Sequence, residues 1–244
     1  MFGRLPIAWL LCILVPGVTL GGPPFRTDDP EPVEYKHWEG YVASMGSSDD
    51  YGTSRTAPHI EVNYGILPNV QLHLLAPFEY VKPEGQSSRY GYGDTELGVK
   101  FRFIQETDSN PQLGIFPIAV LPTGNEDKGL GAGETQVFFP LWLQKSWGPW
   151  KTYGGGGYGI NPGMGNQNYW FIGWEVQRDL SDNLTLGAEI FNQTPSEVDG
   201  DSSTGFNVGA IINFSDLHHL LLSGGRNFSG PKDTFYYVGY QATY

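Results

Sequence analysis

From Tyr35 onward, apolar and polar residues alternate with a period of two, the spacing of a strand whose successive side chains point to opposite faces. In residues 59–66, Ile60, Val62, Tyr64 and Ile66 share one face, and His59, Glu61, Asn63 and Gly65 the other. After Leu67-Pro68-Asn69 the pattern resumes. Val70, Leu72, Leu74, Ala76 and Phe78 oppose Gln71, His73, Leu75 and Glu79, and then Leu97, Val99, Phe101 and Phe103 oppose Glu96, Gly98, Lys100 and Arg102. Further alternating runs centre on Val137–Leu143, Trp170–Val176, Leu184–Ile190 and Phe206–Phe214. Less regular candidates lie at 36–45, 112–121, 150–158, 219–227 and 235–244.

Counted together, these runs predict about twelve strands. The connections alternate: long acidic, Gly/Ser-rich ones near 46–56, 81–94, 122–134, 159–168, 193–204 and 228–233, and shorter ones near 67–69, 105–111, 147–149, 179–183 and 215–218. Short turns on one side and long loops on the other characterise outer-membrane barrels. A soluble sandwich or lipocalin-like barrel shows the same alternation turned inside out. Two features favour the membrane orientation. The polar faces are rich in Gly as well as charge, and the apolar faces carry Tyr64, Phe78, Tyr80, Phe103, Trp170 and Tyr236 where interfacial girdles lie. The expected fold is all-β, a transmembrane antiparallel up-and-down β-barrel of twelve strands in the bacterial outer membrane.

Both ends fit export. The apolar run Ile7–Leu20 follows Arg4 and leads to Thr19-Leu20-Gly21-Gly22, the layout of a secretory signal peptide over residues 1–21. Its run is short for a membrane anchor and contains Pro16-Gly17. The single cysteine, Cys12, falls within it, so the mature chain is expected to lack thiol chemistry. At the other end Tyr236, Val238, Tyr240 and Tyr244 alternate to a terminal aromatic. This strand resembles the one by which barrel-assembly machinery recognises outer-membrane proteins, with Tyr in place of the more usual Phe. Between leader and barrel (35–244), residues 22–34 are proline-rich and polar. They are expected to form a periplasmic segment, either a tail or a plug within the barrel, with the tail favoured.

The net charge is −12, and removing Arg4 takes it to −13, so no basic face is expected for nucleic acid. The partners expected are outer-membrane lipid and lipopolysaccharide, the assembly machinery and a small-molecule solute.

The run Gly91-Tyr92-Gly93-Asp94-Thr95-Glu96-Leu97-Gly98-Val99-Lys100-Phe101-Arg102 resembles a known family, the outer-membrane barrels of the MetA-pathway of phenol degradation. Pro23–Val33, Leu121-Pro122-Thr123-Gly124, Gly129-Leu130-Gly131-Ala132-Gly133 and Gly187-Ala188-Glu189 match it in the same order, over most of the mature chain. The resemblance implies a barrel and a transport role near aromatic-compound catabolism; it brings no catalytic or binding residues.

On the residues alone, pairing across Leu67-Pro68-Asn69 sets Asn63 opposite His73. Pairing about a loop centred near 87 would set Glu79 opposite Glu96 and His73 opposite Arg102. Glu61, His73, Glu79, Glu96, Lys100 and Arg102 would then share one lumen wall, with Glu175 and Glu189 as further inward carboxylates. Such a patch either screens solutes by charge or fills the lumen as a salt-bridge network; in a barrel between eight and sixteen strands both readings stay open. A lipid hydrolase with a Ser–His pair is a weaker alternative: His37, His59, His73, His218 and His219 are its candidates, and no Gly-x-Ser-x-Gly elbow is present. No histidine pair has metal-ligand spacing with an acidic partner, and no cofactor is expected. Gly154–Gly157 lacks the Lys-Ser/Thr of a phosphate loop and is expected to make room for rings such as Tyr153 and Tyr158.

Overall fold

A computed structural model describes residues 22–244; the expected leader, 1–21, lies outside the described residues. Fourteen strand segments run in chain order: β1 (Trp38–Asp49), β2 (Gly52–Leu67), β3 (Val70–Pro83), β4 (Arg89–Tyr92), β5 (Thr95–Ile104), β6 (Gln112–Ile115), β7 (Ile118–Leu121), β8 (Gln136–Trp147), β9 (Trp150–Ile160), β10 (Tyr169–Ser181), β11 (Leu184–Gln193), β12 (Ser203–Ser215), β13 (His218–Ser229) and β14 (Asp233–Thr243). β4 and β5 form one barrel strand interrupted at Gly93-Asp94, and β6 and β7 another interrupted at Phe116-Pro117. Every neighbouring pair is antiparallel, and β1 pairs with β14 from Glu39↔Thr243 to Asp49↔Asp233, which closes a twelve-strand barrel. Closure leaves no open edge, the condition for a sheet to cross lipid.

Burial in this barrel is inverted. Along β10, Trp170 and Ile172 are 60% and 61% exposed while Glu175 is fully buried. Leu72, Leu74, Leu97, Val99, Leu141 and Val208 likewise face outward, and Glu61, His73, Lys100, Gln144, Gln177 and Asn207 are buried inside. In water this arrangement would expose the greasy face of nearly every strand and bury ionisable groups at a cost of several kcal/mol each. In a bilayer the outer face meets hydrocarbon and the polar face lines the lumen. Outward aromatics gather towards the strand ends, among them the stacked pairs Trp38–Tyr64 (4.3 Å) and Phe206–Phe228 (6.5 Å). Tyr236, Val238, Tyr240 and Tyr244 all point outward on the closing strand or at its end.

The turns account for the connectivity. Between β2 and β3 the chain reverses over Pro68-Asn69, with Asn69 at φ 65°, a left-handed conformation that asparagine tolerates. Gly148, at φ 54°, does the same between β8 and β9. At the opposite end the strands run further than the sequence suggests. β1 and β2 extend to a two-residue turn at Asp50-Tyr51, where a loop over 46–56 is expected, and β3 and β4 reach into the expected loop 81–94. Polar Ser/Thr-rich strand ends pair well enough in water to continue the ladder beyond the apolar belt.

Residues 22–34 run inside the ring of strands. The composition favours a periplasmic tail because the segment is too poor in apolar residues for a strand. It is instead buried in the lumen, with Thr27 and Asp28 completely covered, since a polar lumen offers its backbone and carboxylates partners that a soluble core would not.

Candidate functional site: the barrel lumen

Three strand-face glycines prepare a floor for the inner segment. Gly187 and Gly209 are cross-strand partners. A Cβ on either would meet the Phe25 ring, at 2.6 and 2.8 Å. A Cβ on Gly173 would lie 2.1 Å from Thr27 Oγ1. Above this floor the Glu189 carboxylate accepts the backbone N–H groups of Arg26 (to Oε1) and Thr27 (to Oε2), both at 2.8 Å, and Asn207 Nδ2 donates to it at 3.1 Å. Ser223 donates its hydroxyl to the Pro24 carbonyl at 2.5 Å. Further along, Lys100 Nζ donates to Asp28 Oδ1 at 3.0 Å, and the Val33 N–H donates to Gln71 Oε1 at 2.8 Å. Gln144 Nε2 donates to Glu31 Oε2 at 3.2 Å. The segment is thus held from one side of the barrel to the other.

Beside it the lumen divides. An aromatic cluster of Phe116, Phe138, Trp142, Tyr169, Phe171 and Phe191 fills one part, with Phe235 packed against it. The Arg26 guanidinium lies 4.6 Å from the Phe191 ring and 5.5 Å from that of Phe235, so the inner segment caps these rings with a cation. The other part is a cavity of about 310 Å³, walled by Asp28, Glu61, His73, Lys100, Tyr153 and Gln177 among others. The inward aromatics were the feature that alternation hid: Phe138 and Trp142 share the inner face with Gln136 and Gln144, and Phe171 with Glu175 and Gln177. The signal that could have found them is the glycine run opposite. A Cβ on Gly157 would meet the Phe138 ring at 2.7 Å, and one on Gly155 the Trp142 ring at 3.1 Å. Gly154 makes way for Trp174 on the outer face. The rings that the glycine run accommodates belong to neighbouring strands, not to Tyr153 and Tyr158.

The expected wall patch is partly assembled. Asn63 pairs with His73 as expected, and Asn63 Nδ2 donates to Glu61 Oε1 at 2.8 Å. His73 Nδ1 lies 2.8 Å from Asn63 Oδ1 and 3.5 Å from Glu61 Oε1. The next pairing differs from expectation. Glu96 faces Leu75, Gly98 faces His73 and Lys100 faces Gln71, while Glu79 faces Gly91. The β3–β4 hairpin is centred on Gly85 rather than near 87, because β3 continues to Pro83, and the β3–β5 register moves by four residues. Arg102 accordingly sits beside the Pro68-Asn69 turn: its Nε and Nη2 donate to Asn69 Oδ1 at 3.1 and 2.9 Å, and Nη1 donates to Gln112 Oε1 at 3.0 Å. It is separated from His73 and lies 3.7 Å from Glu31. Glu175 faces Glu189 across β10 and β11 and accepts from Gln177 Nε2 at 2.9 Å.

The histidines find partners other than serine. Nδ1 of His59 lies 3.4 Å from Thr56 Oγ1, that of His218 2.7 Å from the Tyr240 hydroxyl, and that of His219 2.7 Å from Asn213 Oδ1. Nδ1 of His37 lies 3.2 Å from the Tyr35 carbonyl. Among the described residues no three His, Cys, Asp or Glu side chains converge to hold a metal ion.

Outside the belt, the loop after β7 folds back on the β4/β5 break. Asp94 accepts the N–H groups of Gly124 (2.8 Å) and Ala132 (2.6 Å), and Thr123 Oγ1 donates to the Gly93 carbonyl at 3.0 Å. The family model described as "Putative MetA-pathway of phenol degradation" matches residues 49–243, from the end of β1 to the end of β14. The chain belongs to this family. Within the MetA-pathway fold the scattered glycine motifs meet in pairs: Gly91–Arg102 with Leu121–Gly133 at Asp94, and Pro23–Val33 with Gly187–Glu189 in the lumen. No curated protein matches the chain. Among solved structures it is similar to an outer membrane channel from Pseudomonas putida F1 (18% identity, TM-score 0.74, covering 88% of this chain and 98% of that one). It is also similar to the translocator domain of the autotransporter NalP from Neisseria meningitidis (12%, 0.56, 84% and 87%) and to the NanC porin (9%, 0.57, 83% and 98%). These likenesses carry the fold, that of a barrel in the bacterial outer membrane.

Proposed function

We propose that this barrel is a narrow channel for small molecules and that the solutes it favours have aromatic or otherwise apolar bodies. The carrying observation is the inward cluster Phe116–Phe138–Phe171–Phe191 beside a polar cavity. A path for solutes with apolar bodies needs apolar surface at membrane depth, and these rings supply it. Membership of the MetA-pathway family supports the same direction. The test compares uptake of labelled benzyl alcohol, at concentrations where the outer membrane limits entry, in cells with and without the gene. Uptake several-fold slower without it is expected, and equal uptake would overturn the reading.

A second reading, a barrel with a closed lumen that serves structure or interaction, is favoured by the inner segment and its bonds to Glu189, Gln71 and Lys100. Planar-bilayer recording separates the two. A channel gives discrete conductance steps that grow when residues 22–34 are deleted; a barrel that stays silent in both forms supports closure.

A further inference from the structure

We infer that the lumen cavity is a binding site for a small organic cation, an ammonium group carried on an aromatic or short aliphatic body. Resting on the channel reading above, this names the class of solute that its polar part selects.

The wall of the cavity is unbalanced in charge. Asp28, Asp29, Glu31, Glu39 and Glu61 contribute to it, against two ammonium groups, Lys100 and Lys151. Lys100 is already engaged with Asp28 at 3.0 Å and lies 3.7 Å from Asp29. A carboxylate surplus alone is a weak sign. The decisive feature is the type of polar atom left over. Asn63 gives its amide N–H to Glu61 and presents its oxygen to His73 Nδ1, so that ring nitrogen is the donor. Nε2, on the far side of the ring, is buried and without a hydrogen-bond partner among the described residues, and the Glu61 carboxylate lies 3.5 Å from Nδ1 of the same ring. Asp28 Oδ1 accepts from Lys100 and from the Asp29 N–H, while Oδ2 is also buried and unpartnered. Both residues line the cavity and are more than nine-tenths buried. The unmet carboxylate oxygen of Asp28 calls for a ligand that brings N–H donors, and an anion would be repelled by it.

The rest of the wall sets the body of that ligand. Phe116, Ile118, Ile211 and Leu221 face the same space, and the Tyr41 ring lies beside them. No three acidic or histidine side chains converge there, so a bare metal ion finds no cage. The Phe116 ring already receives one ammonium, Lys100 Nζ at 5.0 Å, which shows that this surface suits a cation. A volume of about 310 Å³ lies at the lower end of small-molecule sites.

The test is titration calorimetry of the full barrel in detergent with three probes of one shape: 2-phenylethylammonium, 2-phenylethanol and phenylacetate. The ammonium is expected to bind about tenfold or more tighter than the alcohol, as one or two charge-assisted hydrogen bonds imply, and phenylacetate weaker than both. Asp28→Asn should remove most of the ammonium advantage over the alcohol. Folding of each variant is verified by heat-modifiable gel mobility, and if Asp28→Asn fails to fold, Asp29→Asn, which removes the neighbouring wall carboxylate, decides. Equal affinity for ammonium and alcohol, a preference for phenylacetate, no binding of any probe, or an ammonium advantage that survives in the folded deciding variant would each overturn the inference. Benzyl alcohol uptake keeps the readings apart. Normal uptake with no ammonium preference removes this inference alone, and lost gene-dependence of uptake with the preference intact removes the channel reading alone.

Discussion

Glu189 accepts the backbone N–H of Thr27 at 2.8 Å, a bond between residues 162 positions apart that ties the segment ahead of β1 to the inner wall of β11. With the equivalent bond to the Arg26 N–H it commits both carboxylate oxygens to the inner segment. Hydrogen bonds to a charged acceptor contribute about 1.5–3 kcal/mol each. Glu189→Ala is therefore expected to speed hydrogen exchange at the Arg26 and Thr27 amides by about tenfold or more, with the amides of β1 and β14 unchanged. Unaltered exchange at 26 and 27 would show that the segment is held elsewhere.

The glycine floor predicts a second route to the same release. Gly187→Val places a branched side chain against Phe25, where even a Cβ would come within 2.6 Å of the ring. Overpacking of this kind costs about 1–3 kcal/mol, and the segment gives way more readily than the barrel ladder. A cysteine introduced at Thr27 should then react rapidly with a thiol reagent in the Gly187→Val background and slowly without it. Ala188→Val, one residue along on the lipid face, should leave the reaction slow.

Much of the barrel was legible because lipid and lumen enforce a strict two-residue period. Residues such as Trp170, Ile172 and Trp174 had one environment available and Glu175 and Gln177 the other. Register across the Pro68-Asn69 turn was legible for a related reason, since a two-residue turn fixes its own pairing. Pairing of β3 with β5 was not, because the strands outrun the belt and no hydrophobic change marks where Pro83 ends the ladder. The Phe138–Trp142–Phe171 cluster was hidden because an aromatic facing inward leaves the same alternation with the face labels lost. The Thr27–Glu189 bond was out of reach of any local pattern. It depends on topology bringing residues 26–27 to β11, although the glycine at 187 and the carboxylate at 189 already stood side by side in one motif.

Ile172 tests the orientation on which the fold depends. It is 61% exposed on the outer face of β10, between Trp170 and Trp174, and an arginine there would place a charge in hydrocarbon. Ile172→Arg is expected to lower the stability of the barrel in phospholipid vesicles by about 1–4 kcal/mol, since the cost of a basic residue on the lipid face falls from about 2–4 kcal/mol at the midplane to about 0–1 at the interfaces. The readout is the urea midpoint followed by tryptophan fluorescence. A lumen-side change of similar size, Ile211→Asn, should cost less in the same vesicles. If Ile172→Arg proves neutral, the outer face of β10 does not contact lipid.

Glu106, in the turn after β5, supplies a pH signature outside the belt. Burial alone would raise its carboxyl, but the Ser146 N–H at 2.8 Å and the Lys145 ammonium at 3.0 Å outweigh that and hold it below the ordinary value of 4.5. A carboxyl whose folded value is depressed adds stability above its unfolded value, and that stability is lost as pH falls through the folded value. The wild-type chain should therefore outlast Glu106→Gln in urea at neutral pH. The gap should begin to close below about pH 4.5 and vanish at lower pH, once the carboxyl is protonated in both states. The effect is small because the site is largely solvent-screened, so it is best read as the difference between two midpoints measured across the pH series. A gap that persists unchanged into strong acid would mean that the amide side chain disturbs the turn by shape, and that the charge on Glu106 contributes nothing to holding the turn after β5 against β8.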